Sequence, residues 1–67
     1  MAFLVGQKAL APRHLAEMFN TSQVVTITEI DYYDSIYPYR VEFLDGSRCW
    51  VGRKALSPIK GSRAKVV

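Results

Sequence analysis

Tyr39-Arg40-Val41-Glu42-Phe43-Leu44-Asp45-Gly46-Ser47-Arg48-Cys49-Trp50-Val51 is the stretch that decides the fold. Tyr39, Val41 and Phe43 alternate with Arg40, Glu42 and Leu44, and this period of two places successive side chains on opposite faces of a strand. Asp45-Gly46 supplies the residues of a tight hairpin, since glycine takes up positive φ without steric cost. The return strand, residues 48–52, sets Cys49 and Val51 on one face and Arg48 and Trp50 on the other. One of these faces joins a core and the other carries an exposed indole.

Upstream, residues 24–30 are rich in β-branched side chains, with Val25 and Ile27 on one face and Thr26 and Thr28 on the other. Ile30 follows Ile27 by three positions rather than two, which predicts a β-bulge that bends the strand. Residues 3–10 read as a first strand entered through a turn at Gly6. Pro12, followed at helical spacing by Leu15, Met18 and Phe19, predicts a short helix or helical turn over residues 12–20 with those three as its apolar stripe. The side chains of Asn20, Thr21 and Ser22 end it by bonding the local backbone. Residues 31–38 form a loop or distal hairpin that holds Tyr32, Tyr33 and Tyr37, more aromatic surface than a turn requires. Residues 53–56 make a short connection, Ser57-Pro58 a turn, and Ile59 starts a brief closing strand. The expectation is an all-β chain: a small antiparallel barrel of four or five strands with a short helical insertion near residues 12–20. The barrel domain takes residues 1–60, and residues 61–67 are a flexible basic tail.

The chain has 67 residues, 49% of them hydrophobic and 12% aromatic, which suits one small globular domain and excludes a low-complexity or disordered one. No apolar run approaches the roughly 18 residues that span a bilayer, and residues 1–6 lack the positive start of a secretory signal. A cytoplasmic location is expected. Cys49 is the single cysteine, so neither an intramolecular disulfide nor a cysteine metal cage can form. The net charge of +3 is segregated: residues 15–45 hold six acids against Arg40 alone, whereas residues 46–67 hold six bases and no acid. Such a pattern marks either a polyanion partner for the C-terminal half or solvated faces that pair with each other.

Residues 39–51, followed by Ala55-Leu56-Ser57-Pro58-Ile59, resemble the second half of small SH3-like barrels of the Tudor and KOW kind. In those families an aromatic-x-Val-x-Phe strand leads through Asp-Gly into a second strand, a short 3₁₀ turn and Leu-x-Pro-Ile. Gly6-Gln7-Lys8 resembles their entry into the first strand, and the likeness covers residues 3–10 and 23–60. The helical insertion departs from it, and no four aromatics match a methyl-lysine cage.

Catalytic chemistry finds little support. The chain has a single histidine, and His14 reads as a solvated helix residue while Cys49 reads as a small buried hydrophobe. No metal site, phosphate loop or cofactor is expected, and the chain is read as a non-enzyme. Binding remains. The leading expectation is a protein-interaction module, of the kind a phage-encoded or bacterial modulator of a host protein would be, that uses Tyr32, Tyr33, Tyr37 and Trp50 as rigid amphipathic anchors. The alternative is nucleic-acid binding, with Arg48, Arg53, Lys54 and Lys60 on phosphates and aromatics stacked on bases. A second copy of the chain would pair at an open strand edge, for which residues 2–5 are a candidate.

Overall fold

A computed structural model describes residues 3–59. Its strands are β1 (Lys8–Leu10), β2 (Val24–Ile30), β3 (Tyr39–Phe43), β4 (Arg48–Val51) and β5 (Ser57–Pro58), with one helix, α1 (Arg13–Met18), and a 3₁₀ turn at Arg53–Ala55. They build a single antiparallel sheet in the order β4-β3-β2-β1-β5. The all-β reading holds. Among the described residues no hydrogen-bonded pairing joins β4 to β5, so the sheet is open and the expected closed barrel is corrected to a sheet with two edges.

The register explains the core. Ala9 pairs with Val25 and Val25 with Phe43; Ile27 pairs with Val41; Ile30 pairs with Tyr39 and Tyr39 with Val51. Side chains one row apart therefore meet on one face, where Ala9, Val25, Ile27, Tyr39, Val41, Phe43 and Val51 are all buried. The shift in pairing between Ile27 and Glu29 is the bulge that the broken alternation predicts. Thr28 is the extra residue, and its hydroxyl donates to the carbonyl of Arg40 at 3.2 Å. That insertion lets Ile27 and Ile30 both serve the inner face although they are three positions apart, a spacing that in a regular strand would set them on opposite faces.

Several local expectations change. The first strand covers only Lys8–Leu10, because the chain turns just before it: the N–H of Gln7 donates to the carbonyl of Leu4 at 3.0 Å, with Gly6 at φ +92°. Residues 3–5 are therefore not an edge strand. Helix α1 starts after Pro12, whose own backbone stays extended while its carbonyl accepts from Leu15 and Ala16. Ala16 is its buried residue and Phe19 packs on Phe43 with ring centroids 5.2 Å apart, whereas Met18, expected in the apolar stripe, faces out. The helix ends by backbone geometry, and the expected side-chain bond to the local backbone comes in the loop that follows, where the Ser22 hydroxyl accepts from the N–H of Val24 at 3.1 Å. Asn20 adopts φ 57°, so that the N–H of Thr21 reaches the carbonyl of Ala16 and that of Asn20 the carbonyl of Glu17. At the other end of the chain the closing strand is Ser57–Pro58 rather than a strand begun by Ile59. Lys60 and the tail at residues 61–67 lie outside the described residues.

The hairpin between β3 and β4 is a three-residue loop. The N–H of Gly46 donates to Phe43 and the N–H of Phe43 to Ser47, with Gly46 at φ +94°, the arrangement of a turn followed by a glycine bulge. Asp45 holds it by accepting from the N–H and the hydroxyl of Ser47, each at 2.9 Å.

Candidate ligand groove

The loop at residues 31–38 is tied down from within. The N–H of Asp31 donates to the carbonyl of Pro38 at 2.8 Å, closing the loop at its base. Asp31 Oδ1 accepts from the N–H of Tyr33 at 3.0 Å, and Asp34 Oδ1 accepts from those of Ile36 and Tyr37, both at 2.9 Å. The two N–H groups on Asp34 hold its carboxyl below its usual pKa. These aspartates serve as turn staples.

Between this loop, the N-terminal segment and the 3₁₀ turn runs an open groove of about 1120 Å³. Phe3 is docked at one wall: its ring meets Tyr39 edge-on with centroids 5.7 Å apart, and its N–H donates to the Tyr39 hydroxyl at 3.4 Å. Tyr32, Ile36 and Tyr37 bring exposed apolar surface from the loop. Arg53 and Lys54 line the groove from the 3₁₀ turn, and neither is in an ion pair among the described residues. The loop reaches across to the end of β4, where the main-chain carbonyl of Ile36 lies against Gly52.

The sequence-derived residues are thus redistributed. Tyr32 and Tyr37 share the groove, while Tyr33, at 98% exposure, is not among its lining residues. Trp50 also lies outside the lining; it is paired across strands with Arg40 and is 41% exposed. Of the basic set, Arg53 and Lys54 join the two tyrosines, Arg48 is ion-paired with Glu42 at 3.5 Å, and Lys60 is outside the described residues. On the outer rows of β2, β3 and β4 charges pair with each other, Arg40 with Glu29 at 3.3 Å and Arg48 with Glu42, while Lys8 on β1 donates to the Thr26 hydroxyl at 2.8 Å. Phe3, Leu4 and Ile36 were not singled out by sequence, since nothing local signals that a segment before the first strand folds back onto Tyr39.

His14 is exposed on α1, and Cys49 is half-buried on β4, where burial raises its thiol pKa. Among the described residues no three His, Cys, Asp or Glu side chains gather as a metal site, and no helix is long and apolar enough to cross a membrane. Comparison with protein-family models, curated proteins and solved structures finds no match for this chain.

Proposed function

We propose that this chain is a small SH3-like interaction module that binds an extended segment of a protein partner in the groove between the 31–38 loop and the 3₁₀ turn. The observation that carries the reading is the convergence of Tyr32, Ile36 and Tyr37 on one concavity with the cations Arg53 and Lys54, which form no ion pair among the described residues. Rigid aromatic area and adjacent charge are the components that dominate peptide and protein recognition. The five-stranded antiparallel sheet, with a 3₁₀ turn leading into its last strand, supports the SH3-like assignment.

A displayed random-peptide selection, followed by calorimetry on the enriched peptides, tests the proposal. Tyr37→Ala and Arg53→Ala are each expected to weaken binding about tenfold, with Trp50→Ala unchanged. Loss of affinity on Trp50→Ala but not on Tyr37→Ala would move the site away from the groove. Oligonucleotide titration at two salt concentrations separates the nucleic-acid reading, because phosphate contacts release counterions and lose affinity steeply with salt.

A further inference from the structure

The hairpin hydrogen bonds set the phase of the whole β3–β4 ladder. Phe43 donates its N–H to Ser47 at 2.8 Å, so these two residues form a hydrogen-bonded pair. Such pairs alternate along an antiparallel ladder. Val41–Cys49 and Tyr39–Val51 are therefore the bonded pairs, and Glu42–Arg48 and Arg40–Trp50 the non-bonded ones. It follows that the main-chain N–H and C=O of Arg48 and Trp50 point away from β3. Because β4 is the last strand of the sheet among the described residues, they point at an edge that no described strand pairs with.

The two edges of the sheet differ in how they are protected. β5 is two residues long and one of them is Pro58, which has no N–H to offer. β4 carries no proline, glycine or bulge within its bounds and presents a half-exposed tryptophan.

We propose that β4 pairs antiparallel with β4 of a second copy of this chain, about a two-fold axis at Cys49. The outward groups admit a centre at Arg48, Cys49 or Trp50: the first sets two guanidinium groups face to face and the last sets Arg48 opposite Gly52, so Cys49 is the centre that puts a cation against an aromatic ring in both halves. With the axis at Cys49, Arg48 stands opposite the partner's Trp50, and each exchanges both main-chain bonds with the other. On the outer face the Arg48 guanidinium, whose Nε rests on Glu42 at 3.5 Å, then meets an indole in both halves of the interface, an attractive cation–aromatic pairing. Arg40, the cross-strand neighbour of Trp50, flanks the same indole from within its own sheet. No like charges face each other within the paired segment. On the inner face Cys49 comes opposite the partner's Cys49 as a non-bonded pair, the closer of the two antiparallel spacings. A contact this short gives weak, concentration-dependent association, with half-dimerisation on the order of 0.1–1 mM.

Sedimentation equilibrium over roughly a hundredfold concentration range reads the mass directly. The expected result is a rise from monomer toward dimer. Diamide, which takes up the two thiol hydrogens as it becomes a hydrazine, should then link the dimer through a Cys49 disulfide, and Cys49→Ala should abolish the link. Arg48→Pro removes an outward N–H and no bond to β3, so circular dichroism should stay native while the mass stays monomeric. Should Arg48→Pro fail to fold, Trp50→Lys sets an ammonium against the partner's Arg48 and is expected to weaken dimerisation at least about tenfold. A monomer at every concentration overturns the proposal. So does a dimer that these variants leave intact or that diamide does not link. Perturbation of β4 amides by an added extended peptide, in a chain that stays monomeric, assigns the edge to a foreign strand and overturns it as well.

Discussion

The carbonyl oxygen of Ile36 lies so close to Gly52 that a Cβ built on the glycine would sit 2.9 Å from it. Both partners in this contact are main chain, so neither can rotate away. Gly52 is thus the point at which the 31–38 loop rests on the end of β4 and at which one wall of the groove meets another. Gly52→Ala is expected to push the loop outward, at a cost of about 1–3 kcal/mol, and to lower the melting temperature by about 4–8 °C for each kcal/mol. A thermal melt measures the cost. Peptide affinity for the groove should fall in the same variant, whereas a glycine with a purely local role would leave affinity unchanged.

Gly46 makes the contrasting case. A Cβ there meets nothing within 4 Å, but the backbone sits at φ +94°. Gly46→Ala should therefore cost only the left-handed backbone penalty, about 1–2 kcal/mol, and Gly46→Asn less, because asparagine visits that region more readily. The Ala–Asn difference in a denaturant titration checks the mechanism: equal losses would point to crowding that the open space around Gly46 denies.

Asp34 adds a pH dependence of definite sign. Its carboxylate accepts two main-chain N–H groups in the folded loop, which lowers its pKa below the unfolded value. A lowered folded pKa means that the contribution is complete above the unfolded carboxylate value and is lost as pH falls through the folded one. Asp34→Asn keeps an acceptor oxygen that does not titrate. Its melting temperature should accordingly fall less than that of the native chain between mildly and strongly acidic pH; parallel curves would show that the two N–H bonds do not discriminate between the charged and neutral side chain.

Much of the sheet was legible because alternation and bulge are local properties. Val25, Ile27, Val41 and Phe43 declare the inner face through period two, and the three-residue step to Ile30 declares the bulge. The groove was half legible: the excess of tyrosines in residues 31–38 and the bases after β4 were visible, but their meeting depends on the loop crossing to Gly52. That crossing is set by tertiary contact, which no local pattern encodes. By sequence Trp50 and Arg48 stand level with Tyr37 and Arg53 for a related reason, since spacing along β4 fixes which side chains share a face but not what surrounds that face. Met18 failed for a simpler reason: a six-residue helix is too short for its apolar spacing to define one stripe, and Ala16 occupies the contact instead.

Phe43 should be the residue whose loss the fold tolerates least. It is buried, sits in the row Ala9–Val25–Phe43, and is the ring on which Phe19 anchors the end of α1. Phe43→Ala removes that platform and leaves a cavity, at a cost of about 3–5 kcal/mol, comparable to the whole stability of so small a domain. The expected outcome is loss of the cooperative thermal transition. A variant that still melts cooperatively near the native temperature would mean that α1 and the sheet do not share one core.

Cys49 tests the non-catalytic reading of the chain without any ligand. Its thiol faces the inner side of β4 beside Val41, and partial burial raises its pKa above that of a free thiol. The thiolate is the reactive species, so near neutral pH less of it is present than on an unhindered cysteine. Iodoacetamide should therefore modify the native protein more slowly than the urea-unfolded chain, with a rate that climbs as pH is raised toward the displaced pKa. A cysteine activated for nucleophilic catalysis behaves in the opposite way: its thiolate forms below the usual range and its alkylation is already fast and nearly pH-independent at neutrality. Mass-spectrometric alkylation rates at several pH values distinguish the two. Rapid modification of the folded chain at neutral pH would require a cationic or helix-terminal neighbour, whereas among the described residues burial alone shifts the Cys49 thiol.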